Sequence, residues 1–277
     1  MNSSVRNLLL FCLIALGGGY LGAALDHLAP PADSMQGPGT LLFLVSPVAA
    51  VLLLRSLGGD GWKDFGLGLN LGAGWKWHLA GLAIPVGVIG LALGLAILLG
   101  AASFSPAGTG ETGFWPLLGT GLAAVAVKNL FEEFAWRGYL TPRFEALGLH
   151  PFLNALLTGA IWAAWHIPYY LFFLPPAQIA AQTTLAAPVL AGLAFFILPF
   201  HALAYGELRL LSQSTWTAWL MHNVANALSF ALVTGGFVTL AGGLSGALLS
   251  PGTEGFLHAL LMGLVGLGLY LYRRRSA

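Results

Sequence analysis

Charged side chains are scarce in this sequence of 277 residues, because Asp, Glu, Lys and Arg together make up only 8% of it. Soluble domains carry about 25% charged residues. A chain so poor in charge could not cover a water-facing surface, which excludes an ordinary soluble domain, a nucleic-acid-binding protein and a disordered chain. Cysteine is almost absent as well. Cys12 is the only one, so the chain can form neither an internal disulfide nor a site with several thiolate ligands.

Long apolar runs are what the sequence has instead, and apolar residues make up 57% of it. A membrane-spanning helix needs about 20 mostly apolar residues. Eight runs meet this requirement, at residues 7–25, 41–57, 79–99, 115–140, 152–174, 187–205, 216–233 and 256–272. The sequence therefore predicts an all-α integral membrane protein with about eight transmembrane helices, in which residues 1–277 form a single polytopic membrane domain.

The basic residues predict the orientation of these spans. With eight spans, ten of the 11 basic residues fall on one side: Arg6, Arg55, Lys63, Lys76, Arg137, Arg143, Arg209, Arg273, Arg274 and Arg275. On the other side, the charged residues of the loops are all acidic, namely Asp26, Asp33, Glu111 and Glu254. The positive-inside rule then places both termini in the cytoplasm. An alternative is that the first span is a cleaved signal peptide, which would leave seven spans.

Polar residues inside the predicted spans are the strongest indication of function, because ionisable groups at bilayer depth are costly and usually face the interior of the bundle. They lie on four spans: Lys128, Glu132, Glu133 and Arg137 on the fourth, His166 on the fifth, His201 on the sixth, and His222 and Asn226 on the seventh. We expect His201 to be a hydrogen-bonded core residue, because it has no polar neighbour at helical spacing.

The charges of the fourth span form two pairs at helical spacing. Glu133 and Arg137 are four residues apart with the acid first, the favourable order for an ion pair within a helix. Lys128 has the same spacing from Glu132 and can neutralise it. One interpretation is that both pairs only anchor the helix. The other is that Glu133–Arg137 is a supporting pair, while Glu132 is free to accept and give protons.

The depth of each residue along its span predicts that the histidines of the fifth and seventh spans can meet Glu132. A rise of about 1.5 Å per residue puts Glu132, His166, His222 and Asn226 in one band of the bilayer. A carboxylate and an imidazole can hold and deprotonate a water molecule. A second imidazole and an amide can stabilise a tetrahedral oxyanion. Alternatively, Glu132, His166 and His222 could hold a single divalent metal such as zinc, although no His-Glu-x-x-His run is present.

Three motifs resemble those of the CPBP family, which comprises CAAX-prenyl-protease-like and bacteriocin-processing intramembrane proteases of the Abi type. The Glu-Glu-x-x-x-Arg motif lies at 132–137, and the His-x-x-x-Asn motif at 222–226. The family's Phe-x-x-x-His motif appears with Trp162 in place of Phe, followed by His166. The segment 61–67 also resembles the family's cytoplasmic connector.

The resemblance implies an eight-helix fold around a conical cavity open to the cytoplasm and the membrane, with a catalytic core at about 115–234. It implies that Glu132 is the general base, that His166 is its partner on the water, and that His222 and Asn226 stabilise the oxyanion. Glu133 and Arg137 would be a structural pair. Lys128 is not part of the family motif, and the resemblance leaves the choice between a metal and a metal-free site open.

We therefore predict an intramembrane endopeptidase, a hydrolase that cleaves a peptide bond of a membrane-embedded or lipidated protein or peptide. A proton-coupled transporter and a non-proteolytic immunity or scaffold protein are the alternatives. A multi-pass location in a bacterial cytoplasmic membrane fits the absence of a targeting extension. The sequence predicts no nucleic-acid partner, and it leaves the substrate and the oligomeric state open.

Overall fold

The computed structural model describes residues 3–110, 112–183 and 185–276, and helices dominate all three ranges. Glu111, one of the predicted outer acids, lies outside these described residues. The helices are α1 (Ser3–Leu28), α2 (Pro38–Ser56), α3 (Leu71–Leu98), α4 (Phe114–Ala135), α5 (Thr141–Ala146), α6 (Pro151–Pro168), α7 (Pro176–Gln182), α8 (Ala187–Ser212), α9 (Thr215–Thr234), α10 (Gly243–Leu248) and α11 (Phe256–Ser276). A 3₁₀ turn spans Ser34–Gln36, and π-helical turns at Trp136–Leu140 and Tyr169–Phe173 extend α4 and α6.

The helices are long and apolar enough for the chain to be a multi-pass membrane protein. Within the described ranges six helices qualify as spans by length and composition: α1, α2, α3, α4 continued through α5, α8 and α11. The prediction of an all-α membrane protein is confirmed. Helices α6 and α9 occupy the other two predicted spans, but their polar residues make them less apolar. The count of eight and the cytoplasmic termini therefore stay predictions.

The helices pack into one bundle around a core of large aromatic side chains. Helix α1 packs on α2, α6 and α11 pack on α8, and α9 packs on both α4 and α3. Phe11, Phe43, Trp136, Tyr139 and Trp165 are fully buried where these helices meet. Many leucines remain exposed on the outside of the bundle, as expected for helices whose outer surface contacts lipid chains.

A small antiparallel sheet, which the sequence did not predict, closes one end of the bundle. Strand β1 (Ala102–Phe104) pairs with β2 (Val238–Leu240), with Ser103 opposite Thr239. Strands of three residues are too short to show a periodic pattern. The pair ties the segment between α3 and α4 to the segment after α9.

At the other end, the connector 57–70 between α2 and α3 is held by buried arginines. Arg55 donates from Nη1 to Asp64 Oδ1 at 2.6 Å and from Nη2 to the Gly138 carbonyl at 2.6 Å. Arg143 also pairs with Asp64, and Arg209 donates to the Asp64 carbonyl at 2.7 Å. Arg55 and Arg209 are buried rather than exposed loop charges, because carboxylates and carbonyls replace the water around them.

The carboxylate of Asp64 is the centre of this connector. Burial alone would raise its pKa, but hydrogen bonds from Arg55 and Arg143 outweigh burial and hold the pKa of Asp64 below its usual value. A lowered pKa in the folded state means that Asp64 stabilises the fold above the pKa of a free aspartate, about 3.9. This contribution is lost as the pH falls through the lower, folded-state pKa.

We expect Asp64→Asn to destabilise the protein at pH 7 by about 1 kcal/mol, a value discounted because a third of the side chain is exposed. The difference from wild type should shrink as the pH falls below about 4. Thermal unfolding in detergent at several pH values measures this. Asp33→Asn, between α1 and α2, is the control. A pH-independent difference would contradict the role given to Asp64.

The contact between α6 and α8 depends on a residue without a side chain. A Cβ atom at Gly159 would lie 2.5 Å from the Cα atom of Pro199, so neither backbone could stay in place. We expect Gly159→Ala to destabilise the protein by about 1–3 kcal/mol in thermal unfolding. Gly192→Ala on α8, where a Cβ would meet nothing within 4 Å, should be close to neutral. Equal effects of the two substitutions would contradict this packing.

Candidate active site

Four of the residues predicted for the site line one small cavity inside the bundle. Glu132 comes from α4, His166 from α6, and His222 and Asn226 from α9. This inner cavity has a volume of about 60 Å³, enough for only a few water molecules. The structure therefore brings together groups that lie up to 94 positions apart in the sequence, as expected from their similar depth.

Glu132 is not free, in contrast to one of the two interpretations of the sequence. One carboxylate oxygen pairs with the ammonium group of Lys128, as the helical spacing suggested. The other accepts a hydrogen bond of 2.7 Å from the indole Nε1 of Trp162. Spacing along the chain does not reveal this second contact, because the two residues lie on different helices. Each carboxylate oxygen can accept a further hydrogen bond, so Glu132 can still hold a water molecule.

His166 is oriented by its own helix. Its Nδ1 lies 2.9 Å from the carbonyl oxygen of Trp162. Since a carbonyl only accepts, this contact assigns the ring proton to Nδ1 and leaves Nε2 with a lone pair. In the neutral form His166 is therefore a hydrogen-bond acceptor for a water molecule in the cavity.

His222 is oriented by the pair that the sequence predicted on α4. Arg137 Nη1 lies 2.9 Å from Glu133 Oε1, and His222 Nδ1 lies 2.8 Å from the same oxygen. Glu133 and Arg137 are fully buried. Glu133 therefore does more than pair with Arg137, because it also fixes the ring of His222, which lines the cavity.

Two aromatic rings lie next to the guanidinium group of Arg137. The guanidinium carbon lies 4.2 Å from the centre of the Trp162 ring and 4.7 Å from that of Tyr205. Arg137 was counted among the basic residues at the cytoplasmic ends of the spans, but no part of it reaches the surface. Ring faces and one carboxylate stabilise its charge in place of water.

Asn226 belongs to a row of amides that includes a residue missed in the sequence. Its Nδ2 donates to Asn129 Oδ1 at 3.0 Å, and Asn129 Nδ2 approaches Asn223 Oδ1 at 3.3 Å. Asn129 is fully buried, and an amide within a membrane span was the signal that could have identified it. One N–H of Asn226 is therefore occupied, and the other remains for a ligand in the cavity.

His201 also lines the inner cavity. Its Nδ1 hydrogen-bonds to the carbonyl of Ile197 at 3.2 Å, the type of contact expected of a core histidine. Its ring stacks on that of His258, with centres 5.3 Å apart. These contacts fit a structural role next to the site.

A second, larger cavity of about 250 Å³ adjoins the first, and we call it the outer cavity. Lys128, His166 and Asn226 line both cavities. Most of the outer cavity is formed by the C-terminal half of α9, the N-terminal part of α8 and the loop 249–255, all distant from the connector 57–70. The resemblance implied a cavity open to the cytoplasm. With the predicted orientation, however, the outer cavity lies in the half of the bundle away from it.

The residues suggested as metal ligands do not fit a single ion. Across the described ranges, no group of three or more His, Cys, Asp or Glu side chains has the arrangement of a metal site. The carboxylate of Glu132, the central ligand in that interpretation, is engaged by Lys128 and Trp162. The side chains of this cavity are therefore engaged with one another rather than arranged around an ion.

Residues 114–228 match the family model described as type II CAAX prenyl endopeptidase Rce1-like. This segment is an Rce1-like domain of the CPBP family. The Rce1-like domain contains all six predicted site residues, so the resemblance seen in the sequence is confirmed. The match supports a protease-type function in the membrane. A comparison with curated proteins finds no match.

We expect Glu133→Gln to destabilise the protein by about 3–5 kcal/mol, because it leaves the buried charge of Arg137 without a counter-ion. Thermal unfolding of the purified protein in detergent measures this. Glu145→Gln is the matched control, since Glu145 pairs with Arg273 where both side chains are partly exposed, and it should cost less than about 1 kcal/mol. Similar losses for both variants would contradict the role of the buried pair.

Proposed function

We propose that this protein is an intramembrane endopeptidase of a bacterial cytoplasmic membrane that cleaves a membrane-associated or lipidated protein without a metal. One observation carries the proposal: Glu132, His166, His222 and Asn226 line the same cavity within an Rce1-like domain. The entire chain acts as one membrane domain around this cavity.

Water activation is the first step. A water molecule in the inner cavity donates one hydrogen bond to Glu132 and the other to Nε2 of His166. Its oxygen attacks the carbonyl carbon of the scissile bond as Glu132 accepts a proton. Lys128 and Trp162 hold the carboxylate in place during this transfer, because each binds one of its oxygens.

Stabilisation of the tetrahedral intermediate is the second step. His222, in its protonated form, donates from Nε2 to the oxyanion, and Glu133 supports the charge of the ring through Nδ1. The free N–H of Asn226 donates a second hydrogen bond. The intermediate then collapses as the C–N bond breaks, and the departing amine takes the proton held by Glu132. The products are a carboxylic acid and an amine, and transfer of the remaining proton between them gives a carboxylate and an ammonium group.

Substitution of the two water-binding residues tests the proposal. We expect Glu132→Gln and His166→Ala each to lower the cleavage rate by at least about 10²–10³-fold, because general-base catalysis contributes about 10²–10⁴-fold. The measurement compares membrane proteomes of cells that produce wild-type protein or Glu132→Gln, followed by cleavage of the identified substrate in proteoliposomes.

Glu145→Gln is the matched control, because it makes the same change outside both cavities and should retain wild-type cleavage. All variants are compared at equal amounts of folded, monodisperse protein. Unchanged cleavage by Glu132→Gln would contradict the proposal. Retention of the cellular phenotype by that variant would instead favour a scaffold or immunity role.

A further inference from the structure

The outer cavity carries an uncompensated negative charge. Its lining is largely apolar, with Leu, Val, Ile and Phe side chains on most sides. Of the residue types Lys, Arg, Asp and Glu, its lining contains Lys128 and Glu254. Lys128 is neutralised by Glu132. Within the described residues, no Lys or Arg side chain pairs with Glu254, so the net charge of this cavity comes from Glu254.

Glu254 is held in position by a buried hydroxyl group. Tyr170 donates from its hydroxyl oxygen to Glu254 Oε2 at 2.6 Å. Tyr170 is buried, whereas Glu254 is exposed. The hydrogen bond occupies one carboxylate oxygen and fixes the direction of the group. The second oxygen, Oε1, remains available to a ligand.

This carboxylate lies near the proposed chemistry. Glu254 lines both the inner and the outer cavity, as do Lys128, His166 and Asn226. The ring of Tyr170 lies 6.0 Å from that of His166, which we propose to bind the water. Tyr170 therefore lies next to both the carboxylate of Glu254 and the water-binding histidine. Glu254 had been assigned from the sequence to an outer loop, and it lies outside the Rce1-like domain.

The surroundings of Glu254 suit a cation. Tyr169 and Tyr170 present aromatic rings with centres 5.5 Å apart at the same cavity. Ring faces attract ammonium and guanidinium groups, and a carboxylate next to them supplies the opposite charge for an ion pair. An anionic group would instead meet the repulsion of Glu254.

We propose that Glu254 is a specificity-determining residue that selects peptides with a Lys or Arg side chain close to the cleaved bond. The inference rests on the proposed function, because it identifies the outer cavity as a binding site for part of the substrate. The remaining apolar lining accepts the neighbouring apolar residues of the peptide.

Binding of short apolar peptides tests this proposal separately from cleavage. The peptides carry Lys, norleucine or Glu at one position, and N-methylated bonds prevent their hydrolysis. Fluorescence anisotropy measures their Kd for the full chain in nanodiscs of neutral phosphatidylcholine. We expect the Lys peptide to bind at least about fivefold more tightly than the norleucine peptide, and high salt should reduce this ratio.

Variants of Glu254 identify the source of the preference. Glu254→Gln should abolish the preference for the Lys peptide, and Glu254→Lys should shift it to the Glu peptide. Glu145→Gln should leave the wild-type ratio unchanged. An unchanged ratio in Glu254→Gln, or an equal loss of affinity for all three peptides, would overturn the proposal. If the wild type prefers the Lys peptide but cleaves none of the unmethylated peptides, the proposed function fails while the charge selection stands.

Discussion

The buried charge of Arg137 has to be stabilised without water, and the residues around it come from four helices. Arg137 follows α4, and its counter-ion Glu133 lies on that helix. The rings of Trp162 of α6 and Tyr205 of α8 both lie next to the guanidinium group. His222 of α9 shares the same carboxylate oxygen. The arrangement of the candidate site therefore depends on one buried ion pair, because a shift of α6, α8 or α9 would remove the rings or the imidazole that cover this pair in an apolar interior.

The helices and the pairs within one helix could be predicted from the sequence. Apolar runs identify helices in a membrane because each backbone hydrogen bond has to be formed within the segment. Regular helical geometry also predicts which residues on a helix are neighbours. This is why the pairs Lys128–Glu132 and Glu133–Arg137 were found from spacing alone and appear in the structure.

Contacts between helices could not be predicted in the same way, since they depend on rotation and crossing angles that no spacing reveals. The hydrogen bond from Trp162 to Glu132 and that from His222 to Glu133 are of this kind. Asn129 was missed although a buried amide in a span was visible. Glu254 was missed for another reason, because an acid in a loop is normally a surface residue, and only the fold turns this loop towards a cavity.

The two departures from the family motif meet at a single carboxylate. Lys128 lies outside the motif and Trp162 replaces its phenylalanine, yet each binds one oxygen of Glu132. Lys128 and Trp162 therefore act on the same group, the carboxylate of Glu132. A relative with phenylalanine at the position of Trp162 lacks the indole donor and has to satisfy that carboxylate oxygen by other means. Lys128 and Trp162 together occupy both oxygens of Glu132, so loss of either contact leaves the carboxylate held from one side only.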